Sequence, residues 1–537
     1  MHQVLQVLRT AGLAVVAYGI FNFLRWAYRN WTSPLRQLRG PKSTNLIFGN
    51  IREIRKADNA VLHEQWVEEH GTVITYAGLL GSPRLYTTDL QALRYVFNNS
   101  QTYQKPEMAR AALSQLLGDG LVVAEGEVHK RQRRVMNPAF APAQVRAATD
   151  VMLDKATKLT DLWATQVEQA GGSTTLNVLS GIGRAALDVI GVAGFDYEIN
   201  ALDEEKPSEL SKVFNDIFIF DNSIPLLEIL RVLVPPLQAI IHTSRSRNVQ
   251  RAVEIMAGIG KNLVSRTRAE VGDGKTVSAD QSVDRRDLLS LLMRYNLSPT
   301  LPEAHKLTDQ EVISQIPTFL VAGHETTSTA TSYALFALSE HQSIQDQLRK
   351  ELLSIPDAHP TMDQLDSLPF LDSVVRETLR LHPPVPNTLR NCTQDDLIPV
   401  GTPYTDKDGN LQKFIKVQKG NTIFVPIMAI NRSKAIFGPD AFEFSPSRWA
   451  NLPAAASGIP GMLNMMSFLG GPRACIGYRF SVMEIKVFLF TFLRAFEFEL
   501  AVPASEIKKQ MSGAVHRPMI KSDPEAGSQL PLIVRRR

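Results

Sequence analysis

Cysteine is scarce: Cys392 and Cys475 are the only two in 537 residues. That excludes a disulfide scaffold, a cysteine-rich zinc ribbon and a four-cysteine iron–sulfur centre, and it fits a reducing compartment. One-sided charge is lacking too. The 58 basic residues nearly balance 54 acidic ones, for a net charge of +4, so the composition argues for no nucleic acid partner. No unit of 20–50 residues repeats and no low-complexity linker divides the chain. A strand followed by G-x-G-x-x-G is also missing, so no flavin or nicotinamide fingerprint is present. Mean hydropathy of −0.09 excludes a polytopic membrane protein but leaves room for one anchor. What is present is enough apolar residue, 44%, for a large core, which excludes disorder as the main state.

Residues Val4–Leu24 are apolar except for Gln6, Arg9, Thr10 and Asn22. As a helix they reach roughly 31 Å, about one hydrocarbon core. A cleaved signal would end in small residues, yet here Arg25, Trp26 and Arg29 follow. A single-pass anchor over 1–30 is therefore expected. The basic excess after it (Arg25, Arg29, Arg36, Arg39, Lys42) puts the following chain on the cytosolic side. Pro34 and Arg39-Gly40-Pro41 break the helix.

Beyond the anchor, short β-like runs (Val73–Tyr76, Arg84–Thr87) give way to helical periodicity from about Pro142 to Glu351. β-like runs return from Leu389 to Pro426, and a helix follows a glycine-rich loop at about Tyr478–Phe496. Val271–Arg286 reads as an exposed loop. The expected fold class is mainly α with a small β component (α+β). It is one large domain over 31–520 after the N-terminal transmembrane helix, closed by a solvated tail over 521–537.

The two cysteines differ. Cys392 has ordinary surroundings. Cys475 stands in Phe468-Leu469-Gly470-Gly471-Pro472-Arg473-Ala474-Cys475-Ile476-Gly477, just before an apolar helix. Glycine N–H groups, the helix N-terminus and Arg473 are expected to pull its pKa down towards thiolate. As a nucleophile it lacks a recognisable histidine partner, and as a zinc ligand it lacks companions. A single thiolate suffices as proximal ligand of haem iron, whose porphyrin supplies the other in-plane donors. The pattern F-x-x-G-x-R-x-C-x-G resembles the cysteine-loop signature of the cytochrome P450 superfamily, carried here by Phe468, Gly471, Arg473, Cys475 and Gly477.

Three further stretches resemble motifs of that superfamily, in its order along the chain. Glu377-Thr378-Leu379-Arg380 matches E-x-x-R, completed by Arg448 from Phe444-Ser445-Pro446-Ser447-Arg448-Trp449. The resemblance implies a buried structural network. Ala322-Gly323-His324-Glu325-Thr326-Thr327 resembles A-G-x-D/E-T-T of the distal haem face, after a capping-box start at Thr308-x-x-Glu311. A zinc-protease reading fails because Ser328 stands where H-E-x-x-H needs histidine. By the match, Ala322 and Gly323 form a flat surface for a planar ligand, Thr326 holds a distal water and Glu325 belongs to a proton relay. Gly126–Arg134 resembles the W-x-x-x-R helix, with His129 replacing tryptophan and Arg133 one turn on. His129, Arg133, Arg390 and Arg473 are then expected at the haem propionates, with Lys130, Arg131 and Arg134 candidates for docking an acidic partner.

The resemblance implies haem b, iron protoporphyrin IX, with an axial thiolate from Cys475. It implies insertion of one oxygen atom into a lipophilic small molecule, with electrons from an NADPH-cytochrome reductase and an auxiliary role for cytochrome b5. It also implies the endoplasmic reticulum membrane. The apolar segment Val213–Ile241 falls where the family has its roof, and Phe319, Ala322, Val385 and Val515 are expected to line the pocket. The sequence is similar in style to fungal members, so secondary metabolism and a terpenoid-like substrate are expected. A xenobiotic or fatty-acid hydroxylase is the alternative substrate reading. The rival functions are a haem-thiolate isomerase or dehydratase needing no dioxygen, a haem sensor and a cofactor-free scaffold.

Overall fold

The structure, a computed structural model, describes residues 2–43, 45–56, 61–203, 244–272 and 287–537. The expected roof at 213–241 and loop residues 273–286 lie outside the described residues. By its internal contacts the chain sorts into two compact units, Met1–Pro106 with Asn387–Ala429, and Glu107–Pro386 with Ile430–Arg537.

The first unit opens with helix α1 (His2–Trp31). It contains the whole predicted apolar stretch, and Tyr18, Phe21, Phe23, Leu24 and Trp31 lie exposed along it. Its five-stranded sheet has the order β1-β2-β8-β5-β3. The strands are β1 (Val73–Ala77), β2 (Pro83–Thr87), β3 (Tyr103–Gln104), β5 (Thr388–Cys392) and β8 (Thr422–Val425). Both predicted early strands are there. Helix α2 (Leu90–Asn98) starts where Asp89 accepts the Ala92 N–H at 2.8 Å. β6 (Asp396–Thr405) and β7 (Leu411–Val417) form a separate ribbon. Cys392 is buried in β5, and burial pushes its thiol up to about 12, as expected of an inert core residue.

The second unit is mostly helical. It contains α3 (Glu107–Leu117), α4 (Gly126–Met136), α5 (Pro142–Gln169), α6 (Val178–Phe195), α7 (Asp309–Ile313), α8 (Gln315–Glu340), α9 (Pro369–Leu381) and α10 (Tyr478–Ala495). α6 is long and apolar enough to cross a membrane, yet 78% of it is buried in the unit. Its core role follows from packing: Gly181 lets α5 approach, since a Cβ there would come within 2.8 Å of Trp163. Trp163 in turn packs on Phe492 of α10, with ring centroids 4.9 Å apart. The Thr308–Glu311 capping box is present, with the Thr308 N–H donating to Glu311 at 2.9 Å and the Glu311 N–H to Thr308 at 3.2 Å.

The tail expected over 521–537 is corrected. Pro531–Arg536 is β12, central in a sheet ordered β4-β12-β9 between β4 (Ser173–Asn177) and β9 (Phe496–Leu500). Leu532 and Val534 are fully buried, and Arg535 and Arg537 pair with Glu499 and Glu497 at 2.6 and 2.7 Å. An alternating apolar pattern two residues deep was hidden beside three arginines. The hairpin of β10 (Ile507–Ser512) and β11 (Val515–Ile520) completes the unit.

Candidate active site

α9 carries Glu377 and Arg380 on one buried face, both fully enclosed. Arg380 donates to both oxygens of Glu377, at 2.9 and 2.8 Å, and to the carbonyls of Asn431, Ala441 and Glu443. Glu377 also accepts from the Ser445 N–H at 3.0 Å and the Trp449 indole at 3.0 Å. The expected third member, Arg448, sits 3.5 Å from Glu377 but is chiefly bound to Asp440, at 2.8 and 3.0 Å. The Arg448 hydrogen bonds hold the Asp440 carboxyl below its usual range. Trp449 is the member that motif matching missed.

The cysteine loop is fixed by its own backbone. The Cys475 N–H donates to Phe468 O at 2.8 Å, Ala474 N–H to Gly471 O at 3.0 Å and Met462 N–H to Leu469 O at 3.1 Å. Gly471 takes a left-handed φ of +67°. A Cβ at Gly470 would lie 1.8 Å from Pro460 O. Gly477 is different: its φ is −91° and a Cβ would meet only Phe140 at 3.6 Å, so the chain's own packing does not demand glycine there. The Cys475 side chain keeps accessible surface although protein surrounds it, and the Gly477 N–H points at its sulfur. The expected downward pKa shift is corrected. Burial pushes the thiol up, outweighing the Gly477 N–H and the Arg133 charge. A metal cation at the sulfur removes that proton outright.

α8 runs beside this loop. Thr327 Oγ1 lies 3.1 Å from Ser481 Oγ of α10, six residues after Cys475. Phe319 stacks edge-on against Phe140, whose ring also flanks Gly477. α8 is buried almost throughout, yet Ala322 is exposed and Val321, Gly323 and Thr326 are half-buried. Ala322 and Thr326 are one turn apart, so this accessible stripe is a single helix face. Thr326 donates to Ala322 O at 2.8 Å, and Thr331 and Ser332 likewise bond back one turn, which explains how a hydroxyl-rich run stays helical. Gly323 has a packing reason rather than a ligand-facing one, since a Cβ would press on Ile190 of α6 at 3.1 Å.

Glu325 is held from an unexpected side. Arg517 of β11 donates from Nε and Nη2 to its two oxygens, with the pair 14% and 4% exposed. His324 Nε2 stands 3.6 Å from Glu325, and its Nδ1 donates to Leu320 O at 2.7 Å. Burial keeps His324 below its ordinary pKa. Behind Thr327, the buried Glu484 carboxyl on α10 is pushed well above its usual range by burial.

His129 is buried on α4, and Arg133 donates to Ala474 O at 2.6 Å and Asn137 at 2.8 Å. Arg473 pairs with Glu125 and donates to Ala124 O at 2.6 Å. Burial disfavours charge on both guanidiniums. Arg110 of α3 lies close enough to repel Arg473, and its buried Nε has no partner among the described residues. No local motif marks it in the sequence. Arg390 belongs to β5 of the other unit, bonded to Thr388 Oγ1 and Leu389 O. Of the candidate docking cations, Arg131 is tied to Glu311 and Arg134 to His305, while Lys130 stays exposed beside Glu127. Phe319 is buried between Phe140 and Phe195, Val515 is buried, and Val385 is half-buried.

These residues fit a flat metal-bearing ligand. An accessible thiol meets an N–H donor, a glycine without a packing reason adjoins it, and a small-residue stripe opens on the next helix. A cationic pair supplies more positive charge than Glu125 matches.

Comparisons agree. The Cytochrome P450 family model matches residues 38–521. Cytochrome P450 monooxygenase 205 of Postia placenta is 46% identical over 533 residues, 98% of each chain. Cytochrome P450 monooxygenase 128 of the same fungus is 43% identical over 98% of this chain and 97% of its own. Cytochrome P450 monooxygenase claP of Ampulloclitocybe clavipes is 34% identical over 95% of each. The family implies a haem-thiolate cofactor, a redox partner and, in general, a lipophilic substrate. With the loop, the charge network and the matches together, the chain belongs to the cytochrome P450 family and is a monooxygenase.

Proposed function

We propose that the protein hydroxylates or epoxidises a lipophilic, terpenoid-like small molecule in fungal secondary metabolism, taking electrons from an NADPH-cytochrome reductase with cytochrome b5 as auxiliary. The observation that carries this reading is the accessible Cys475 thiol, with an open stripe on α8, the helix that meets α10 just past the cysteine loop. Haem b, when bound, supplies dioxygen activation and oxygen-atom transfer, which a thiolate ligand favours.

The chain's own residues do the rest. Cys475 ligates the metal, and the Gly477 N–H tempers its charge. Phe468 and Gly471 hold the loop's shape. His129, Arg133 and Arg473 answer the carboxylates of the porphyrin edge, and Arg110 joins them. Thr326 orients a water on the accessible stripe, Glu325 passes protons towards it, and apolar neighbours keep bulk water out. Ala322, Val385 and Val515 border the substrate space, with Phe319 behind them. Glu377, Arg380 and Arg448 form the structural network. α1 serves as a single-pass anchor over 1–30 in the endoplasmic reticulum membrane, with the catalytic part (31–520) cytosolic. Its exposed Phe21, Phe23, Leu24 and Trp26 support that role.

A haem-thiolate isomerase or dehydratase is disfavoured by the retained Thr326 and Glu325. A spectral-shift screen with terpenoids, fatty acids and aromatics, followed by reductase-coupled oxygen uptake, tests the proposal. Oxygen and NADPH consumption with a mono-oxygenated terpenoid is expected. Turnover without oxygen, or a preference confined to fatty acids, overturns it.

A further inference from the structure

The hairpin of β10 and β11 carries a second polar cluster on the strand face opposite Arg517. Lys509 stands across from Pro518, and Met511 across from His516. Lys509 and His516 are therefore diagonal neighbours on one face, roughly 7–8 Å apart. Both are half-buried although protein surrounds them, so they border an enclosed space. The Lys509 ammonium donates to Leu381 O, at the C-terminus of α9, at 3.4 Å, and it lies 5.4 Å from the centre of the Tyr333 ring on α8. Arg432 donates from Nε to the same carbonyl at 3.0 Å. Two cations thus share one acceptor. Tyr333 stacks on His382, with ring centroids 5.0 Å apart. The Tyr333 hydroxyl and the Nδ1 atoms of His382 and His516 have no partner among the described residues, and Tyr333 and His382 are only 1% and 8% exposed. Glu340, exposed at the end of α8, acts on Lys509 through its charge without a hydrogen bond. The negative end of α9 accounts for part of the positive charge gathered here. It offers one carbonyl to two cations, however, and leaves the histidines and the phenol unanswered.

We propose that Lys509 and His516 hold a small inorganic anion of the chloride class between the hairpin and the end of α9. Arg432 lends its charge, and a neutral His516 donates from one ring nitrogen. Burial and the Arg432 charge hold the bare Lys509 amine well below its usual range. A bound anion reverses that balance, because an opposite charge close by favours the ammonium. Accessible surface remains at Lys509 and His516, while the Tyr333 hydroxyl and the His382 Nδ1 are closed off. That arrangement suits one small ion rather than a phosphate. The His516 N–H already ties the hairpin to Pro384 O at 2.8 Å, and the anion adds a second brace beside Val385 and Val515.

The test uses the full-length holoenzyme at pH 8 and fixed ionic strength, with gluconate, too large to enter, replaced stepwise by chloride. Chlorine-35 line broadening reads binding, and amide hydrogen exchange over residues 507–520 reads bracing, for wild type, Lys509→Gln and His516→Leu. The wild type should broaden the line saturably. At ten times the half-saturating chloride its hairpin exchange should slow about tenfold, by mass action. Lys509→Gln should lose both responses. His516→Leu, which keeps the ammonium and removes one donor, should raise the half-saturating chloride about tenfold, and it carries the test should Lys509→Gln fail to fold. Identical exchange in gluconate and chloride, without saturable broadening, means that Lys509 is enclosed as a neutral amine and overturns the site. A wild-type response in Lys509→Gln, or a wild-type midpoint in His516→Leu, makes the signal an adventitious ion only and overturns it as well.

Discussion

Two regions of the helical unit are built from similar residues to opposite ends. Around Glu377, both carboxylate oxygens and all three Arg380 guanidinium nitrogens find partners within the chain. Around Cys475, the thiol and Ala322 keep accessible surface, Gly477 has no packing reason, and the Arg110 Nε lacks a partner among the described residues. A self-satisfied cluster is organised to hold shape, because a buried charge left unpaired is costly. A cluster that leaves polar groups unanswered is organised around something the chain does not itself supply.

The difference can be attacked from both sides. Arg380→Met should cost about 3–5 kcal/mol by stranding the Glu377 carboxylate, read as a lower urea midpoint with unchanged slope. A loss under 1 kcal/mol would mean that the network is not self-contained. The glycines give a sharper contrast within one loop. Gly470→Ala must move Pro460 O and should destabilise by about 1–3 kcal/mol. Gly477→Ala should change stability by less than about 0.5 kcal/mol yet weaken haem retention, measured by haem transfer to an acceptor globin. Equal effects at the two positions would erase the distinction.

The end of α9 also has a pH signature, at a histidine whose buried Nδ1 has no partner among the described residues. His382 caps α9, and burial, with Lys509, Arg432 and Arg380 nearby, holds it well below its ordinary value. It stays neutral when folded and takes up a proton on unfolding. Its contribution is therefore complete above about pH 6.5, the unfolded value, and is lost as the pH falls towards the depressed folded value. The melting temperature should drop on acidification from that point, and His382→Gln should flatten the drop. The smallest effect on the fold belongs to Thr326→Ala. It removes one hydroxyl bond to Ala322 O and should leave the melting temperature within about 2 °C, while diverting reducing equivalents to peroxide. Unchanged coupling would take Thr326 out of its proposed role.

Short-range features were legible in the sequence. The cysteine loop, the Glu377–Arg380 pair and the Thr308 cap each close within ten residues, so spacing alone reveals them. Arg517 was not legible, because its partner is 192 residues away on another element and no local pattern marks it. Glu484 leaves a trace, an acid inside an apolar helix nine residues past Cys475. β12 reads as a tail in the sequence because its two buried side chains gain meaning only from the distant strands β4 and β9. The sign of the Cys475 pKa shift is not legible either, since the sequence shows the glycine loop and the arginine but not the burial that opposes them. Nor does the motif show that Gly323 has Ile190 of α6 as a close neighbour.

The central claim is that the Cys475 sulfur ligates a porphyrin iron. The direct measurement is the ferrous–carbon monoxide difference spectrum of the haem-loaded protein beside that of Cys475→Ala, with haem content determined for both. The account predicts the red-shifted band of thiolate ligation in the wild type and its complete loss in the variant. Survival of that band without Cys475, or histidine-ligated iron in the wild type, would contradict it.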